Sequence, residues 1–250
     1  MRQKKHVHER FQPLRIEHEV KGEQGTLFNR ENIRDVILGG QDGLVNVLGL
    51  ILGVASATNS TKIVLIAGLA GTFAESISMA AVAYTSSKAA SEYYQKKVEE
   101  EQWEMEHIPE MEQKEIYDIY YKKGFRGKQL DGIVKHITSD KKLWLETMMS
   151  EELRLFPDEY SNPVRNGIVV GLAAVVGSFI PLLPFFFLSV KLGIIASLIV
   201  SGIALFIVGA VKAKVTVGSW KRSGVEMFIV GMLAAIAGYL IGVWLGSVYV

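Results

Sequence analysis

The chain contains no cysteine. Disulfides, thiolate metal sites and cysteine nucleophiles are therefore excluded, and nothing about redox compartment follows. Net charge is scarce as well. Lys and Arg total 27 against 26 Asp and Glu, which leaves +1, and so even a balance carries no nucleic-acid footprint. Apolar residues are missing from the start of the chain. Residues 1–34 are polar and charged, with no apolar core of the kind a secretory signal needs, so insertion is expected through the first span itself. Most informative is where charge is absent. Asn166–Val190, Leu192–Val211 and Met227–Val250 carry no charged residue, while Val36–Thr61 holds only Asp42 and Ile63–Ser87 only Glu75.

About 20 apolar residues span a bilayer as a helix, so these five stretches predict an all-α, polytopic membrane protein with five transmembrane helices. Lys and Arg near the span ends set the orientation. Arg2, Lys4, Lys5, Arg10, Arg15, Lys21, Arg30 and Arg34 precede the first span, and Lys212, Lys214, Lys221 and Arg222 follow the fourth. The loop after the first span offers only Lys62, and the one after the third only Lys191. The N-terminus is expected in the cytoplasm and Val250 outside it. Gly39 with Gly43, and Gly49 with Gly53, stand four apart, a spacing that lets helix backbones approach in lipid. Pro181 and Pro184 are expected to kink or end the third span.

Between the second and third spans lies Lys88–Arg165, which holds 17 of the 26 acidic residues. It is too long for a plain loop, and three helices are predicted in it, on the cytoplasmic side. The first continues from the second span to about Asp118 with a kink at Pro109; the second covers Lys128–Ile137; the third covers Lys141–Phe156. The resulting division is a polar arm over 1–34, spans one and two over 35–87, an acidic metal-binding insert over 88–165, and spans three to five over 166–250.

Asp42 and Glu75 have no basic residue beside them in the first two spans. A carboxylate at membrane depth is costly and marks an ion or proton path, or else a protonated acid held inside the bundle. Met79 follows Glu75 by one helical turn, and a thioether near carboxylates suits a borderline transition metal. Asn46, one turn after Asp42, could add a carbonyl ligand. In the insert, Glu101, Glu104, Glu112 and Glu115 fall within a helical sector about 80° wide, whereas Glu99, Glu100 and Glu110 do not. Like charges so placed repel, and a multivalent cation or plain solvation would offset that. Met148, Met149 and Glu152 can share one face of the third insert helix and add sulfur to oxygen, or the methionines can pack the insert core. Glu104 and His107 make a single Glu-x-x-His pair where di-iron bundles use two, so it is read as coincidence. His6, His8 and His18 belong to the polar arm.

Taken in order, Arg34-Asp35, Gly40-Gln41-Asp42-Gly43-Leu44, Glu75-Ser76-Ile77-Ser78-Met79, Met148-Met149 with Glu152, and Phe179-Ile180-Pro181-Leu182-Leu183-Pro184 resemble the vacuolar iron transporter family over about Glu31–Val250. The resemblance implies a homodimer of five-helix protomers that exchanges cytosolic Fe²⁺ for protons along a path lined by the first two spans. It implies path roles for Asp42, Met79 and, at the cytoplasmic mouth, Glu31. It implies metal binding by Glu101, Glu104, Glu112, Glu115, Met148, Met149 and Glu152. One departure stands out. Plant members carry a second-span glutamate eight residues before the methionine; here that position is Gly71, and the acid is Glu75.

The expected function is a divalent metal/proton antiporter, for Fe²⁺ first and Mn²⁺ second, with Zn²⁺ or Co²⁺ as binding surrogates. It is not expected to be an enzyme or to hold a prosthetic group, and the metal is cargo. Its partners are a second copy, the lipid bilayer, metal ions and protons, with no nucleic acid. The membrane would be the plasma membrane in a prokaryote and the vacuolar membrane in a eukaryote. The alternative is a membrane-anchored, ferritin-like metal-binding or metal-oxidising protein.

Overall fold

The computed structural model describes residues 30–157, 162–215 and 218–249. The arm with His6, His8 and His18 lies outside them, and so does Val250. The described residues form helices and their connections, with no strand among them. The order is α1 (Arg30–Thr58), α2 (Thr61–His107), α3 (Pro109–Lys122), α4 (Gly127–Thr138), α5 (Lys141–Thr147), a π-helical turn (Met148–Glu152), α6 (Pro163–Leu182), a 3₁₀ turn (Leu183–Phe186), α7 (Val190–Val215) and α8 (Trp220–Tyr249). Five of these helices, α1, α2, α6, α7 and α8, are long and apolar enough to cross a membrane. Their outward faces carry unbroken apolar stripes, such as Ile195, Ile199, Ile203 and Ile207 on α7. Stripes of that length on an outer face belong against lipid. The chain is a multi-pass membrane protein.

Two compact units result, one from Gly25–Ser86 with Asn162–Val250, the other built on Ser87–Ser161. In the first, α1 is the central helix. It packs along α6 and α8 and also meets α7. The glycine pairs explain how, and they divide the work. A Cβ on Gly39 or Gly43 would strike the backbone of Val170 or Ala174 on α6. One on Gly53 would meet the carbonyl of Gly238 on α8 at 3.0 Å, while Gly238 and Gly242 in turn face the backbones of Gly49 and Gly53. The first half of α1 is thus seamed to α6 and the second half to α8, with the helix backbones in close approach. The apolar core around Val47, Ile51, Val64, Leu182 and Phe185 lies beside these seams.

Proline acts at the third span as expected. Pro181 sits in the last turn of α6, which gives way to the 3₁₀ turn carrying Pro184. At its start, Asn162 caps the first turn by accepting from the N–H groups of Val164 and Arg165, with Pro163 in the first helical position.

The second unit departs from the helix plan in two places. First, α2 and α3 are separate helices, broken at Ile108, whose backbone leaves the helical region. Pro109 has no N–H to donate and disfavours a helical residue before it, so it opens a new helix instead of bending the old one. Second, the third insert helix is α only through Thr147; Met148–Glu152 is wound as a π-turn, in which the Leu153 N–H donates to the Met148 carbonyl at 3.2 Å. Trp144, Leu145, Thr147, Met148 and Met149 are all buried here. That is more consecutive burial than one α-helical stripe provides, and the wider turn supplies it. The unit's core joins Tyr94, Val98, Met105, Ile116, Ile137 and Trp144 to both methionines.

Candidate metal centre

The break at Ile108 creates the main cluster. On an unbroken helix Glu101 and Glu112 would stand about 16 Å apart. Instead, Glu101 and Glu104 from the end of α2 and Glu112 from α3 bring carboxylate oxygens within 4.8 Å of one another. The stripe read from the sequence is therefore a three-dimensional cluster, made by folding α3 back. Glu115 on α3 and Glu152 on the π-turn complete it, with their carboxyl groups in hydrogen-bonding contact.

Burial and like charge dominate the electrostatics. Glu101 is 5 % exposed and Glu112 only 1 %, and one oxygen of each has no hydrogen-bond partner among the described residues. Burial raises the Glu101 carboxyl to about 8, and the charges of Glu152, Glu112, Glu104 and Glu115 push the same way. Burial, then Glu115, Glu104 and Glu152, raises Glu112 to about 7. Glu152 also rises to about 7, through burial and then Glu115, with Lys97 opposing. Near neutral pH such a group holds protons, and a cation entering it displaces them.

Met148 and Met149 are buried in the core together with Met105, which follows Glu101 by one turn. Met105 stands four residues after Glu101 as Met79 does after Glu75, a spacing that by itself does not separate a site methionine from a core one. Glu99 and Glu110 are exposed, and Glu100 pairs with Lys97 at 2.6 Å. His107 stacks on Trp103 at 4.4 Å, and its Nδ1 lies 2.8 Å from the Trp103 carbonyl. His107 is exposed and is not a member of the glutamate cluster.

A second cluster lies among the membrane-spanning helices. The Asn46 side-chain amide donates to the Glu75 carboxylate at 3.0 Å. Asp42 lies within hydrogen-bonding reach of both Glu75 and Asn46. The antiparallel run of α1 and α2 brings them together, since Gly68 faces Ile51 and Gly71 faces Leu50 farther along. Two acids in contact need a proton or a cation between them. Met79 is half-buried one turn beyond Glu75. Glu31 falls in the first turn of α1, and its side chain is not among those described.

The family model described as "VIT family" matches residues 33–243. Among similar proteins are the vacuolar iron transporter 1 of Tulipa gesneriana, 32 % identical over 224 residues and 89 % of each chain, and that of Arabidopsis thaliana, 31 % identical over 84 % of each chain. The vacuolar iron transporter of Plasmodium falciparum is 29 % identical over 86 % of this chain and 82 % of its own.

Proposed function

Because the chain belongs to the VIT family, we propose that it exports divalent metal from the cytoplasm, Fe²⁺ first and Mn²⁺ second, in exchange for protons. The observation that carries this reading is the meeting of Asp42 with Glu75 and Asn46 inside the membrane-spanning unit. Acids at that depth are held for a cation or a proton, and a group that takes either one can couple their movements in opposite directions. Met79 would favour a borderline metal over Mg²⁺. The names of the relatives, all iron transporters, support iron as cargo, bound and released without chemical conversion.

The glutamate cluster would collect metal before transport. Its protons leave as metal enters, so capture itself depends on pH. Asn46 is exposed on the single protomer, and polar groups at membrane depth need cover. A second copy seated on the α1–α2 face would provide it and place the path between protomers. The cytoplasm would hold the N-terminus and the insert, and the outside or the vacuolar lumen the C-terminus. The ferritin-like alternative is not favoured, because His107 is committed to Trp103.

The test is Fe²⁺ and Mn²⁺ uptake by proteoliposomes with and without an imposed pH gradient. The proposal expects uptake that follows the gradient and acidification or alkalinisation that follows the metal. Metal flux indifferent to the gradient, with no proton movement, would overturn the exchange.

A further inference from the structure

A groove of about 470 Å³ runs between α1, α6 and α7. Its walls are apolar apart from Gln41, and the volume is that of a small-ligand site. Several of its residues are among the more exposed apolar side chains of their helices, including Val36 at 48 %, Leu172 at 62 %, Val176 at 66 % and Ile207 at 54 %. It lies away from Asp42 and Glu75, which face each other across α1 and α2. Along α6 it extends from Val169 to Ile180, about 16 Å at helical rise. That is close to half of a hydrocarbon core about 30 Å thick, the depth of one leaflet.

One end of the groove is distinctly charged. Its lining begins at Val36 on α1 and Val169 on α6 and ends at Val211 on α7. Just beyond those residues stand Arg34, Arg165, Lys212 and Lys214. The first two precede the lining on α1 and α6, the last two follow it on α7, and all four are exposed. Asp35, next to Arg34, is an acid near this rim. An apolar slot one leaflet deep, with cations from three helices at its mouth, matches a molecule that has an anionic head and a hydrocarbon tail.

We propose that the α1–α6–α7 groove holds one acyl chain of an anionic phospholipid, whose headgroup sits at the Arg34, Arg165 and Lys214 rim. Phosphatidylglycerol is the probe and phosphatidylcholine its neutral-headgroup control. The full chain in neutral detergent is offered both in equal amounts, and retained lipid is read by native mass spectrometry. Phosphatidylglycerol should be kept about tenfold better, since basic groups at a membrane surface each favour an anionic head. Arg34→Gln, Arg165→Gln and Lys214→Gln together should erase the preference, and each alone should lower it, which keeps the test valid if the triple variant does not fold. Ala173→Phe, filling the slot, should remove retention of both lipids while size-exclusion elution is unchanged. Equal retention by the native chain, or a preference that survives the triple variant, would overturn the proposal. So would a disulfide between two copies of Ile207→Cys, because a second protomer would then occupy the slot. The readout is bound lipid, so its failure leaves the transport reading standing, and failed metal transport leaves this one standing.

Discussion

At Glu101 a carboxyl group is folded into a place that favours its neutral form. Its ordinary value near 4.5 rises to about 8. Between those values the folded state binds a proton that the unfolded state has released, so stability falls as pH climbs through the window. Glu112 and Glu152, both near 7, add to the fall. In metal-free protein, Glu101→Gln should therefore be stabilising by about 2 kcal/mol at pH 8.5 and nearly neutral at pH 5, because it removes a charge the fold resists. Thermal melts of the full chain in chelator at the two pH values measure this; a variant equally stabilised at both would mean that Glu101 does not titrate in the window. Metal reverses the sign. Its binding should release about one to two protons per ion near pH 7, read as the buffer dependence of the calorimetric heat. The acids themselves were legible in the sequence, as was their separation from Glu99, Glu100 and Glu110. Their mutual distance was not, since it depends on a change of chain direction between them. Met148 and Met149 were legible as a pair, but whether they line the site or pack beneath it is a matter of tertiary burial, and the structure places them in the core.

Helices supply that missing distance, and each deviation from a straight rod has a local cause. Proline at 109 turns one stripe of glutamates into two opposed pairs. Pro109→Ala restores the missing N–H and frees the preceding residue for the helical region. The α2–α3 junction should then straighten in part, and metal affinity of the full chain should drop by about tenfold, a loss of roughly 1.4 kcal/mol, with little change in transport at saturating metal. Unchanged affinity, measured by titration calorimetry, would show that packing alone holds α3 in place. The glycine seams of α1 give a second element-scale test, because the two sides of each contact are not equivalent. A Cβ on Gly49 meets the Ala234 carbonyl at an ordinary 3.6 Å, whereas one on Gly238 lands on the Gly49 backbone. Gly49→Ala should be neutral or stabilising by up to about 1 kcal/mol, and Gly238→Ala destabilising by about 1–3 kcal/mol. Melting temperatures in detergent would rank them, and the reverse order would refute the seam. The five spans were legible because long uncharged runs have few alternatives. The partner of each glycine pair was not, for a four-residue spacing announces a close approach without saying to which helix. The π-turn had no local signal at all, being set by how many neighbouring side chains the core takes in.

For the molecule as a whole, the deciding experiment is Asp42→Asn. Asparagine keeps the shape and most of the hydrogen bonds to Glu75 and Asn46, but it carries neither charge nor exchangeable acid proton. Metal uptake by proteoliposomes should be abolished while elution and assembly stay native; normal, gradient-driven uptake would sink the mechanism. Topology is testable at the same scale. A tag before Met1 should be shielded in sealed cells and one after Val250 accessible, as the Lys and Arg distribution requires, and equal accessibility would remove a span. Finally, α1 serves two masters along its length, α6 at Gly39 and Gly43 and α8 at Gly49 and Gly53. Side chains on its other faces can vary without disturbing either seam, but its residue count between the seams cannot. One residue inserted between Gly43 and Gly49 would turn everything after it by 100° and advance it by about 1.5 Å. Both glycines of the second seam would then face away from α8, and bulky neighbours would take their place. Among descendants of such a chain, substitutions at the exposed positions of α1, such as Leu38 and Leu50, should accumulate while insertions and deletions in Gly43–Gly49 are purged, so the interval between the seams acts as a fixed ruler in its evolution.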